Sequence, residues 1–134
     1  MDQRVANEGF LFLLFYLTLF VSEKTPKFFA IDNIDSSFNP KLCKELIQRL
    51  IRLSKTFKKQ VIVTTHNPFI IDGLNINDDE QRLFVVRRNI EGGTIINRIK
   101  PKEKLDINLS EAWLRGYIGG LPNNFLSHEY CSHY

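Results

Sequence analysis

The sequence predicts an α/β fold, a parallel sheet with flanking helices and an added antiparallel hairpin, and three observations carry that prediction. Phe28-Phe29-Ala30-Ile31 and Val61-Ile62-Val63 are short continuous apolar runs that end in polar residues, the pattern of strands covered on both faces. One long amphipathic helix lies between them, which makes a strand–helix–strand unit with a right-handed crossover and parallel strands. Further on, Leu83 to Val86 and Thr94 to Ile99 read as two strands joined by a turn whose Gly92-Gly93 supplies a permissive backbone, hence a hairpin.

Taken in order, Met1 to Asn7 is polar, and Glu8-Gly9 is expected to open the first helix, apolar on all sides from Gly9 to Val21. Such a helix belongs in a core or between subunits. Pro26 blocks its extension before the first strand. After Asp32 the segment Asn33-Ile34-Asp35-Ser36-Ser37-Phe38 is too polar to stay in the sheet. Asn39 suits an N-cap and Pro40 a first helical residue. Leu42, Leu46, Leu50, Leu53 and Phe57, with Cys43, Ile47 and Ile51, then fall on one helical face, and Lys44, Glu45, Gln48, Arg49, Arg52 and Lys55 on the other. Phe69 to Asp72 reads as a short helix stopped by Gly73. Ser110 and Glu111 begin a last helix carrying Trp113, Leu114, Tyr117 and Ile118, which Gly119-Gly120 and Pro122 end. One domain over 1–122 and a tail over 123–134 are expected.

The 134 residues, 43% hydrophobic, are enough for a packed core. A net charge of +3 is too small to argue for nucleic acid by itself. Cys43 and Cys131 lie far apart and resemble neither a disulfide framework nor a metal knuckle, so a reducing cytoplasm is expected. The apolar stretch from Gly9 to Val21 falls short of the roughly 20 residues of a membrane span. Asp2, Arg4 and Glu8 ahead of it do not make the positive leader of a secretory signal, so no membrane partner is expected.

Parallel strands bring Asp32 and His66 to one carboxyl edge of the sheet, where open α/β folds bind ligands. An Asp there can hold Mg²⁺ beside nucleotide phosphates, and an imidazole can meet a terminal phosphate. The plain alternatives are a turn Asp and a structural His. His128, Cys131 and His133 are read as incidental surface residues rather than a metal set. Arg87, Arg88, Arg98, Lys100, Lys102 and Lys104 make the hairpin and linker basic, and a solvated edge is the simpler reading.

These residues resemble a known family. Phe28-Phe29-Ala30-Ile31-Asp32-Asn33 looks like the Walker B strand of ABC-type ATPases, the branch containing SMC, RecF-like and OLD-like proteins. Ile34-Asp35-Ser36-Ser37-Phe38-Asn39 lies where that family has its D-loop, and Val63-Thr64-Thr65-His66-Asn67-Pro68 resembles its switch-histidine strand. Ala6-Asn7-Glu8-Gly9-Phe10 is similar to the signature loop, with Asn7 where the family usually has Ser. Thr94-Ile95-Ile96 and Trp113-Leu114-Arg115-Gly116 look like the tail of AAA-like ATP-binding relatives from bacterial defence systems. The resemblance implies a partial P-loop NTPase fold that uses ATP and Mg²⁺. By it Asp32 is the Mg²⁺-associated acid and His66 senses the γ-phosphate. Asn7, Glu8 and Gly9 then meet a nucleotide held by a second subunit, and Asp35, Ser36 and Ser37 pass between the two sites.

Two departures qualify that picture. Asn33 stands where the family usually has a Glu that polarises the attacking water. An amide is a poor general base, although it can position water by hydrogen bonds, so either slow hydrolysis or help from another acid such as Asp35 is expected. Nothing reads G-x-x-x-x-G-K-[ST], so the loop that cradles phosphates is absent from these residues. The sequence therefore reads as the carboxyl-terminal half of such an ATPase. Its expected partners are a Walker A-bearing half, a homologous head in a dimer, and DNA or an effector nuclease. Alone it is expected to bind ATP weakly or not at all and to show no turnover. The alternative is a non-hydrolysing protein-interaction module that pairs through the Gly9 to Val21 helix, or a truncated remnant.

Overall fold

The computed structural model describes residues 3–34, 39–100 and 107–119. The chain divides into two compact units, Met1–Asn75 and Ile76–Tyr134. The first runs α1 (Gln3–Val21), β1 (Phe28–Ile31), α2 (Pro40–Phe57), β2 (Gln60–Val63) and α3 (Pro68–Ile71). β1 and β2 pair in parallel, with Phe28 opposite Gln60 and Ile31 opposite Val63, so the expected strand–helix–strand unit is present.

α2 forms where its local signals put it. The Asn39 side chain accepts from the Leu42 N–H at 3.0 Å, satisfying one of the orphan donors of the first turn, and Pro40 follows in the first helical position. Its apolar face buries Cys43, Leu46, Ile47 and Leu50. The helix ends at Lys58, which takes a left-handed conformation (φ 53°) while its N–H and that of Lys59 reach back to the Lys55 and Ser54 carbonyls. Gly73, after α3, packs so closely on α2 that a Cβ there would lie 2.8 Å from the Lys44 carbonyl oxygen.

The first helix departs from expectation twice. It starts at Gln3, so Asn7, Glu8 and Gly9 lie inside it rather than opening it. Ala6 to Glu8 tolerate helix, and a single Gly costs only about 1 kcal/mol there. Nor is the helix buried all round. Tyr16 and Phe20 join the core, with Phe12, Leu13 and Leu19 packed against it, whereas Phe10, Leu11, Leu14, Phe15, Leu17 and Val21 are exposed. Phe20 meets Phe29 of β1 edge-on, ring centroids 5.4 Å apart.

Coverage of the strands on both faces is also corrected. Phe29, Ile31, Val61 and Val63 turn to the core, but Phe28 and Ile62, on the opposite face, are 55% and 52% exposed. Alternate residues point to opposite sides of a sheet, and helices cover one side of this one.

Lys59 carries the junction of α1, α2 and β2. It is buried, and its Nζ donates to the carbonyls of Leu19 (2.8 Å), Ser22 (2.7 Å) and Thr25 (3.4 Å). A cation placed on orphan carbonyls at a helix carboxyl end satisfies them and favours the helix dipole.

The second unit holds the hairpin β3 (Leu83–Arg88) and β4 (Thr94–Ile99), antiparallel with Leu83 opposite Ile99, and the short helix α4 (Leu109–Leu114). The turn is closed by the Asn89 N–H donating to Gly93 O at 2.8 Å, with Gly92 at φ +83°. α4 ends at Leu114, earlier than its apolar spacing suggests, because Gly116 takes a left-handed conformation at φ +74°. Tyr117 and Ile118 therefore come after the helix rather than belong to it.

Candidate functional site at the carboxyl edge of the parallel strands

One step past the paired residues Ile31 and Val63, the two chains stay joined through Thr64. Its N–H donates to Ile31 O at 3.0 Å, and its own carbonyl accepts from the Ile34 N–H at 3.2 Å. Its hydroxyl accepts from the Asn33 N–H at 2.9 Å and donates to the Asp32 carboxylate at Oδ1. The expectation that the residues after the two parallel strands emerge at one carboxyl edge is met at Asp32 and Thr64, with His66 two residues further on. Asp32, Asn33, Thr64 and His66 are all exposed, so the edge is open to solvent.

Asn33 adopts a left-handed backbone, φ 51°. That conformation turns the chain so that Ile34, only 2% exposed, drops into the core directly after the exposed Asp32-Asn33 pair. Non-glycine residues resist this region, and Asn tolerates it better than most. The amide at this position thus has a backbone reason as well as any chemical one. An Asn meets this turn at less cost than a Glu would.

His66 stands two residues beyond Thr64, and the segment after it is firmly held. Thr65 Oγ1 accepts from the Asn67 N–H at 3.0 Å. The Asn67 side chain caps α3 by accepting from the Phe69 N–H at 3.0 Å, and its amide nitrogen donates to Cys43 Sγ on α2 at 3.5 Å. His66 is therefore an exposed residue on a segment fixed at both ends. Sequence reasoning missed Thr64 as a member of this site. The parallel register carried the signal, since the residues after Ile31 and Val63 are Asp32 and Thr64.

The other expected site residues divide. Asn7, Glu8 and Gly9 lie within α1, so their N–H groups belong to helix interior and not to a free amino end. Asp35 and Ser36, with Ser37, lie outside the described residues, as do His128, Cys131 and His133. On the hairpin, Arg98 pairs with Asp79, which also accepts from Arg82 Nη2 at 3.0 Å. Hydrogen bonds from Arg98 and Arg82 hold the Asp79 carboxyl below the usual carboxylate range. This pairing removes one cation from the hairpin's basic set.

Among the described residues no group of three or more His, Cys, Asp or Glu could hold a metal ion. Asp32 alone still fits Mg²⁺. That ion keeps several waters and is commonly held by one or two carboxylates plus substrate phosphates. Among the described residues, the Thr64 hydroxyl is the one donor on this carboxylate, taken at Oδ1. No helix among the described residues is long and apolar enough to cross a membrane.

A family model described as "AAA domain, putative AbiEii toxin, Type IV TA system" matches residues 4–72. The match spans α1 to α3 and includes Asp32, Asn33, Thr64 and His66. No curated protein and no solved structure matches the chain.

Proposed function

The chain belongs to the AAA-domain family whose model it matches, and from that premise we propose that it supplies the Mg²⁺-associated acid and the phosphate-sensing histidine of an ATPase head of the ABC, SMC and RecF-like kind. The family suggests a nucleotide-binding, ATPase-like function. One observation carries the finer reading: Asp32 and the His66 segment leave one parallel strand pair at its carboxyl edge, tied through Thr64. In this reading Asp32 would hold Mg²⁺, directly or through water, and the ion would supply charge neutralisation on the phosphates when bound. His66 meets the terminal phosphate with a ring nitrogen. Asn33 holds the turn and presents an amide to water, without a group basic enough to take its proton. Slow hydrolysis is the consequence of that chemistry.

The phosphate-cradling loop comes from a Walker A-bearing partner half, and two heads close on ATP as a dimer. The family's printed description names a putative AbiEii toxin of a type IV TA system; a bacterial defence setting, with DNA or an effector nuclease as the downstream partner, is part of the proposal. Exposed apolar residues along α1, including Phe10, Leu14 and Phe15, favour a second reading, a non-hydrolysing module that pairs with another protein.

Calorimetry with Mg²⁺ and ATP separates the two. The chain is measured alone and mixed with a Walker A-bearing half, each beside Asp32→Ala. Binding in the mixture that disappears with Asp32→Ala is the expected result. A folded chain that binds no ATP in either case overturns the nucleotide-site reading.

A further inference from the structure

We propose that Thr64 is the positioning residue of this site, fixing the Asp32 carboxylate in the orientation that faces the metal; the inference rests on the reading of Asp32 as the metal-facing acid. A Thr hydroxyl has one proton and can also accept. Here the Asn33 N–H occupies the accepting side at 2.9 Å, which leaves the proton to go to Asp32 Oδ1. The hydroxyl is thus polarised and aimed by a backbone amide, and Asp32 receives a directed hydrogen bond.

The donor itself is held still. Thr64 is β-branched, so few side-chain rotamers are open to it. Its N–H is bound to Ile31 O at 3.0 Å and its carbonyl to the Ile34 N–H at 3.2 Å, so both backbone groups are tied to the strand that carries Asp32. Asn33 completes the arrangement: with φ 51° its N–H and the next one, of Ile34, both converge on Thr64, one at the hydroxyl and one at the carbonyl. An exposed carboxylate would otherwise sample several rotamers at little cost. Groups that orient a metal ligand without touching the metal commonly change affinity strongly when removed.

The test uses the 134-residue chain, isotope-labelled, as wild type, Thr64→Val, Thr64→Ser and Asp32→Asn. Valine keeps the shape and the Thr64 backbone bonds to Ile31 and Ile34 while removing the hydroxyl, and with it the acceptor of the Asn33 N–H; serine restores both roles of the hydroxyl. Without metal, three-bond couplings to the Asp32 carboxyl carbon report its rotamer. With MnCl₂ as the probe, paramagnetic broadening around Asp32 reports binding. Wild type and Thr64→Ser are expected to show one Asp32 rotamer, and Thr64→Val an average. The Mn²⁺ concentration for half-broadening should rise about tenfold in Thr64→Val and stay near wild type in Thr64→Ser. An Asp32 rotamer unchanged in Thr64→Val, or no rescue by serine, overturns the proposal. Broadening that Asp32→Asn leaves intact instead sinks the reading of Asp32 as the metal-facing acid, and the couplings then decide alone whether Thr64 orients the carboxylate.

Discussion

Asn33 is the position where backbone and chemistry make competing demands. Its φ of 51° is a conformation that costs ordinary L-residues about 1 kcal/mol or more, and Asn and Gly least. Asn33→Glu, which would restore the acid usual in ATPases of the kind proposed, is therefore expected to lower stability by about 1 kcal/mol in denaturant unfolding. Asn33→Gly should stay within about 0.5 kcal/mol of wild type. Equal losses in both variants would mean that the Asn side chain, not the backbone, supplies the stabilisation. Asp79 gives a second single-residue expectation. Arg98 and Arg82 lower its pKa in the folded chain, so the unfolded chain binds its proton more readily. The contribution is present in full above the unfolded value, near pH 4, and is lost as pH falls through the lowered folded value. Asp79→Asn should accordingly flatten the fall of stability with pH below about 4, measured at low salt because the carboxylate is largely exposed and its pairs are screened by salt.

Helices and strands were legible in proportion to how local their signals are. α2 could be read nearly to the residue, since Asn39, Pro40 and an apolar face at three- and four-residue spacing all lie within the element. The start of α1 could not, because Glu8-Gly9 resembles an opening turn while the helix already runs from Gln3. Nor could the open side of the β1–β2 pair, since Phe28-Phe29-Ala30-Ile31 reads alike whether one face or both are covered. Asp32 and His66 were legible as a pair from strand order. Thr64 was legible only once register fixed it beside Asp32. Lys59 was illegible, because its partners lie 34 to 40 residues earlier in the chain. Its removal should be costly: Lys59→Met leaves the Leu19 and Ser22 carbonyls without their charged donor, and about 2–4 kcal/mol of stability is expected to go. Gly73 is the matching test between α3 and α2. A Cβ 2.8 Å from the Lys44 carbonyl oxygen requires backbone to move, so Gly73→Ala should cost about 1–3 kcal/mol. A change under about 0.5 kcal/mol, the ordinary scatter of surface substitutions, would show that this contact yields freely.

Parallel strands are normally covered on both faces, and a pair of strands is too small a sheet to stand without such support. The first unit has helices on one side of β1 and β2 and exposes Phe28 and Ile62 on the other, while α1 exposes Phe10, Leu11, Leu14 and Phe15. Two apolar surfaces of this kind favour association, and charges placed on them should oppose it without loosening the core. Ile62→Lys and Leu14→Glu each alter a side chain about half exposed, so the thermal midpoint is expected to shift little. Sedimentation across a range of protein concentrations then assigns the surfaces. If Ile62→Lys reduces association and Leu14→Glu does not, the sheet face is what the chain covers, the outcome that the proposed phosphate-loop partner calls for. The reverse result would favour α1 as the pairing surface and with it the non-hydrolysing module. Association untouched by either substitution would show that both faces tolerate water, and would count against each of these partners.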